Sequence, residues 1–106
     1  MGMPGKTLEQ FQTDVDTWIR TVGKGYWSPH ANLARIAEEV GELARLVNHL
    51  YGPKPKKPDE AAQDLGEELA DILFAVICLA NSEGIDLSHS LEVVLEKVWR
   101  RDLDRY

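Results

Sequence analysis

A single cysteine, Cys78, in 106 residues excludes an internal disulfide, and its place inside an apolar run marks it as a core position. The longest apolar run, Ile72 to Ala80, has nine residues, far short of the ~20 that cross a bilayer. The opening stretch MGMPGKTLEQ holds no apolar segment of the secretory-signal kind. A soluble, cytoplasmic protein with no membrane partner is expected. Positive charge is scarce as well: 12 lysines and arginines against 18 acids leave a formal net charge of −6. That balance disfavours nucleic-acid polymers and anionic lipid as partners. A cluster of carboxylates can still bind cations, and a bound cation can hold a phosphate-bearing ligand. Strand-like alternation and solenoid-length repeats are also missing.

What remains is a helical pattern. With 43% hydrophobic and 28% charged residues, the chain suits one folded domain, residues 1–106, around one modest core. The first helix begins near Thr7, where TLEQ has the form of a capping box. Leu8, Phe11, Val15, Trp18, Ile19 and Val22 follow helical spacing, and Gly23 to Gly25 end it. Ser28 and Pro29 open a second helix that reaches Tyr51, where Gly52 and Pro53 stop it. Its apolar stripe is Leu33, Ile36, Val40, Leu43, Val47 and Leu50. Pro53 to Glu60 is a polar loop; its Lys54, Lys56 and Lys57 either help cover a substrate or belong to a solvated linker. A third helix is expected from about Asp59 to Glu83, ended by Gly84, and a fourth from Asp86 or Ser88 past Trp99. The fold class is all-α, a four-helix bundle.

Carboxylates occupy costly places in this pattern. On a helical wheel Glu39 lies about 70° from the middle of the second stripe, at the edge of the core. Glu42 lies further round and Glu38 nearly opposite. On the third helix, with stripe Leu65, Leu69, Ile72 and Val76, Glu68 borders the core by about the same angle, and Asp71 follows one turn on. Asp64 shares that flank, and Glu67 is more exposed. Each helix thus offers an i, i+3 pair, Glu39 with Glu42 and Glu68 with Asp71, which converge if the helices pack antiparallel. Four converging carboxylates do not all stay ionised without cations. Hard oxygen donors favour Mg²⁺ or Mn²⁺. A di-iron bundle needs Glu-x-x-His, and zinc needs His or Cys at ligand spacing; His30, His49 and His89 supply neither. The competing reading is that these acids are ordinary solvated helix-surface charges.

EEVGE followed by EELAD, that is Glu38, Glu39 and Glu42 and then Glu68 and Asp71, resembles the signature of the MazG-type all-α nucleoside triphosphate pyrophosphohydrolases. YWSPHANLARIAEEVGELAR, YGPKPKK, EELADILFAVICLANSEGIDL and EKVWRRDLDRY extend the resemblance to the small single-domain, YpjD-like members over nearly the whole chain. The resemblance implies a MazG fold assembled as a dimer or tetramer. It implies Mg²⁺ on Glu39, Glu42, Glu68 and Asp71, with Glu38 assisting through a second metal or by orienting the attacking water. It also implies hydrolysis of nucleoside triphosphates to the monophosphate and pyrophosphate. A carboxylate-held metal suits that chemistry, because it neutralises phosphate oxygens and acidifies water.

Transition-state charge calls for further cations. Lys97 and Arg101, i and i+4 on the fourth helix, with Arg100 and Arg105 nearby, are candidates for phosphate contacts. Alternatively they complement the helix dipole. Lys97 gains from the resemblance, since family members commonly carry a lysine there. Asn81 is either a polar substrate contact or a helix-end asparagine. Trp27, beside a glycine-rich turn, either stacks on a base or closes the end of the bundle. His30 is a lesser candidate for base or phosphate. A non-catalytic partner-binding bundle with a structural cation is the main alternative function, and a metal-carboxylate oxidase is weakened by the missing histidines. The third helix, apolar nearly all round from Ile72 to Ala80, needs more neighbours than three helices provide, so self-association is expected.

Overall fold

The computed structural model describes residues 5–53 and 64–105. Lys54, Lys56 and Lys57, the expected opening of the third helix near Asp59, and the side chain of Arg105 lie outside the described residues. Four helices run in order: α1 (Leu8–Thr21), α2 (Pro29–Tyr51), α3 (Leu65–Ser82) and α4 (Leu87–Arg105). Among the described residues there is no strand. The all-α expectation holds.

Each helix starts where its first orphan N–H groups find an acceptor. Thr7 Oγ1 accepts from Gln10 N at 3.1 Å, and Gln10 Oε1 accepts from Thr7 N at 2.7 Å, completing the capping box. Ser28 caps α2 by accepting from Ala31 N at 3.2 Å, with proline at the first helical position. Asp86 Oδ1 accepts from Ser88 N at 3.0 Å and caps α4. At the third helix the expected boundary needs correction. Asp64 is the cap of α3, not a residue within it: its backbone is extended (φ −80°, ψ 128°) and its side chain accepts from Gly66 N at 2.6 Å. A short acidic side chain next to free N–H groups prefers that local bond to a helical position. Gly84 has φ 68°, and the reversal it permits lets Ile85 N donate to Ala80 O at 2.9 Å, ending α3.

The main packing is α2 against α3. α1 lies on α3, and α4 reaches the rest of the chain chiefly through α1. Glu42 meets Glu68, whereas Asn32 and Arg35 share a cavity with Ala75 and Cys78. The pairing thus runs down one helix and up the other, so α2 and α3 are antiparallel. Ile19, Leu46, Ala75, Ile77 and Ala80 form the buried apolar core, and Trp18 meets Phe74 edge-on with ring centroids 6.0 Å apart.

The seam does not follow the apolar stripe of α2. Asn32, Glu39 and Leu46 are the buried residues of that helix, while Leu33, Val40, Val47 and Leu50 stay exposed. On α3, Leu69 and Leu73 are likewise uncovered. The expected core edge at Glu39 is in fact the centre of the α2–α3 contact, and part of the apolar surface faces away from it.

Gln12 joins three elements. Its Nε2 donates to Asn81 Oδ1 and to Ile85 O, both at 2.9 Å, and its Oε1 accepts from Leu87 N at 2.9 Å. Asn81 Nδ2 returns a bond to Gln12 O at 2.9 Å. This clasp holds α1 against the α3–α4 turn.

Candidate metal centre and its neighbouring cavity

Glu39, Glu42 and Glu68 converge: one carboxylate oxygen from each lies within 4.8 Å of the others. Glu39 and Glu68 are buried, at 8% and 0% exposure, and Glu42 is exposed at the mouth. Burial pushes the Glu68 carboxyl above its usual range. The close Glu39 carboxyl and the charges of Glu42 and Asp71 add to the rise. Glu39 divides its two oxygens. Oε1 accepts from Arg35 Nε at 3.0 Å, while Oε2 is buried with no hydrogen-bond partner. An orphaned carboxylate oxygen among other carboxylates is a costly arrangement in a folded chain. A hard divalent cation would satisfy it, and the all-oxygen donor set fits such a cation.

Asp71 is exposed one turn after Glu68. It stands outside the mutual group, though its charge acts on Glu68. Glu38 is exposed and also outside the group. Of the four expected ligands, three are brought together in this chain.

Next to the cluster is a cavity of about 190 Å³. Trp18, Tyr26, Trp27 and Phe74 wall it, with Asn32, Arg35 and Cys78 among its polar lining. Trp27 is half exposed, and the Arg35 guanidinium carbon lies 6.0 Å from its ring centroid. Asn32, 4% exposed, donates from Nδ2 to Trp27 O at 3.3 Å. A carbonyl oxygen only accepts, so this bond determines which way the amide points. Tyr26 donates to Asp16 Oδ1 at 2.5 Å. That bond, with Arg20 beside it, holds the Asp16 carboxyl below its usual range, while burial and then Asp16 raise the Tyr26 hydroxyl. Burial also raises the Cys78 thiol in the cavity wall.

The cationic candidates lie elsewhere. Lys97 is exposed on α4; Arg100 Nη2 pairs with Glu96 at 2.5 Å, and Arg101 Nε with Asp102 at 3.4 Å. α4 stands chiefly on α1, and none of the three is among the charges that act on Glu68. Asn81 is held in the Gln12 clasp, ten residues beyond Asp71 on α3, about 15 Å along the axis. His30 is exposed in the first turn of α2.

Asn32, Arg35, Tyr26, Trp18 and Phe74 were not expected at the site. Asn32 and Arg35 precede Glu39 by seven and four residues on α2, which puts all three on one face. That polar file was the available signal.

Carboxylate oxygens on two antiparallel helices, beside an aromatic cavity, form an all-α acidic cluster of a kind that can hold a cation, with room for a small organic ligand alongside. The chain belongs to the MazG nucleotide pyrophosphohydrolase family, whose domain model matches residues 27–106. It is 47% identical to YpjD of Bacillus subtilis (strain 168) over 104 residues, 98% of this chain and 94% of that protein. The crystal structure of YpjD from Bacillus subtilis superposes with a TM-score of 0.80, covering 91% of this chain and 96% of YpjD. The Bacillus-conserved MazG protein, a nucleotide pyrophosphohydrolase, gives 0.75 at 44% identity over 90% and 91% of the two chains. iMazG from Vibrio DAT 722 gives 0.60 at 29% identity over 87% and 99%. Membership supports hydrolase chemistry on a nucleotide. No described helix is long and apolar enough to cross a membrane.

Proposed function

We propose that this protein is a Mg²⁺-dependent nucleoside triphosphate pyrophosphohydrolase. It converts (d)NTP to (d)NMP and pyrophosphate, accepts Mn²⁺ as a substitute, and serves in cytoplasmic house-cleaning of the nucleotide pool as a single MazG-like domain. The observation that carries this reading is the partnerless, buried Oε2 of Glu39 inside a carboxylate cluster, directly beside a cavity walled by aromatic rings.

Glu39, Glu42 and Glu68 would hold the cation, with Asp71, one turn after Glu68, as a fourth donor. Bound there, a divalent ion would neutralise phosphate oxygens and acidify water. Glu38, at the outer edge of the same helix, orients the attacking water. Trp27 covers the base by stacking, Trp18 and Phe74 exclude water from its edges, and Asn32 offers its fixed amide to the base rim. The triphosphate then points from the cavity toward the cluster.

The same reading includes self-association as a dimer or tetramer. The radius of gyration is 17.1 Å, against about 13 Å for a compact chain of this length. Leu33, Val40, Val47 and Leu50 on α2, with Leu69 and Leu73 on α3, form apolar surface that a second copy would cover. Lys97, Arg100 and Arg101 approach phosphate only if α4 of a second copy lies across the cluster.

A panel of ribo- and deoxyribonucleoside triphosphates with Mg²⁺ tests the proposal. Monophosphate plus pyrophosphate is the expected product pair. Diphosphate plus phosphate would overturn the bond assignment. No turnover on any substrate would leave a non-catalytic cation-holding bundle.

A further inference from the structure

The cavity and the carboxylate cluster meet at one side chain, Arg35. Its Nε donates to Glu39 Oε1 at 3.0 Å, and its guanidinium carbon sits 6.0 Å from the centroid of Trp27. It also lines the cavity. A guanidinium carries five N–H donors in a planar fork. One is taken by Glu39; the two terminal nitrogens meet no acceptor among the described residues. The group is therefore oriented on two sides, with its end unengaged among the described residues. Lys97, Arg100 and Arg101 stand on α4, which packs chiefly on α1, and both arginines pair with acids of their own helix.

We infer that Arg35 is a substrate ligand: its terminal nitrogens grip the phosphate nearest the nucleoside while Nε stays on Glu39. This rests on the nucleotide reading above. The phosphate that spans the step from aromatic cavity to carboxylate cluster is the one bonded to the nucleoside 5′ oxygen. In the proposed hydrolysis a water oxygen bonds to that phosphorus. The bond from phosphorus to the oxygen bridging toward the second phosphate breaks. The electron pair leaves on pyrophosphate, and the water proton passes to solvent. Negative charge on the non-bridging oxygens of the attacked phosphorus is then met by a fork already held in place, a contact that strengthens as the charge develops.

A purely structural Arg35 would serve only to hold Glu39. The two roles separate in protein without added metal. Calorimetry compares a nucleoside 5′-monophosphate with its parent nucleoside, in the wild-type protein and in Arg35→Met and Arg35→Lys. Arg35→Met keeps the aliphatic stem and removes the charge. Arg35→Lys keeps the charge and loses the fork, and it decides the matter if the methionine variant does not fold. Monophosphate affinity should fall about 10- to 100-fold in Arg35→Met and by a smaller factor in Arg35→Lys, with nucleoside affinity unchanged within about twofold. With Mg²⁺ and triphosphate, kcat should fall more than KM rises. An unchanged ratio of monophosphate to nucleoside affinity, with weaker Mn²⁺ binding alone, would reduce Arg35 to a support for Glu39. If the wild-type protein releases pyrophosphate and both variants match it, only the Arg35 assignment fails. If the wild-type protein releases none from any nucleotide, the functional reading itself fails.

Discussion

The carboxyl groups of Glu39 and Glu68 approach each other across the α2–α3 seam, with oxygens within 4.8 Å, both residues buried, at 8% and 0% exposure. Burial and the neighbouring carboxylates push the Glu68 carboxyl up, so without a cation the cluster carries uncompensated repulsion where the family's chemistry calls for charge. Replacing Glu39 by glutamine keeps the size and an oxygen that can accept from Arg35 Nε. Pyrophosphate release should then fall by about 10²-fold or more, since a ligand to the cation is lost. The fold should survive, and the metal-free melting temperature should hold or rise. Near-normal activity in Glu39→Gln would overturn the ligand assignment; Glu38→Gln should lower turnover with less effect on metal binding.

The raised Glu68 carboxyl also sets a pH dependence. A group whose folded value lies above its unfolded value of 4.5 contributes stability that is fully present below 4.5. That contribution is lost as pH rises through the folded value. The metal-free protein should therefore lose stability as pH rises from about 4.5, and Glu68→Gln should flatten that slope. Mg²⁺ or Mn²⁺ should restore stability at the upper end, by mass action on the folded state. Thermal melts across pH, with and without cation, check both parts.

Asn81 should behave as a structural residue. It exchanges two hydrogen bonds with Gln12 far from the cluster. Asn81→Ala should cost about 1–3 kcal/mol of stability through partners left unsatisfied, with kcat/KM unchanged for folded protein. A large drop in kcat/KM at full stability would return Asn81 to the substrate.

Lys97 and Trp27 should differ in kind. If α4 of a second copy supplies Lys97 to phosphate, Lys97→Ala weakens catalysis by a similar factor for every base, about 1–3 kcal/mol. Trp27→Ala should mainly raise KM and reorder the bases, because stacking strength depends on the ring. Four nucleotides measured against each variant distinguish these outcomes; a uniform loss for Trp27→Ala would make it a packing residue.

Assembly is testable by light scattering at micromolar concentration. A dimer or tetramer is expected, and Val40→Asp on the uncovered face of α2 should shift it toward monomer, since each buried aliphatic side chain contributes about 1.5–3 kcal/mol. A monomeric wild-type protein would remove the self-association proposal.

The helices and their limits were largely legible in the residues, because caps and breakers act locally. Thr7 with Gln10, Ser28 with Pro29, and Gly84 each do their work within a few positions. Asp64 caps α3 instead of lying within it, because an acid at a helix start and an acid inside a helix look alike until the backbone N–H groups around it are in place. Glu39, Glu42 and Glu68 were legible as a cluster because helical spacing places carboxylates on a face wherever that face turns. Which face turns inward is a tertiary matter. α2 has apolar residues over a broad arc, and the choice of Asn32, Glu39 and Leu46 as the buried line, with Val40 left outside, came from the fit against α3. The same choice brought Arg35 between the aromatic cavity and the carboxylates, and left Lys97 and Arg101 on a helix that leans on α1. Local hydrogen bonding is written in neighbouring residues; the pairing of distant faces depends on how whole side-chain surfaces interlock, and no short stretch of the chain carries that information.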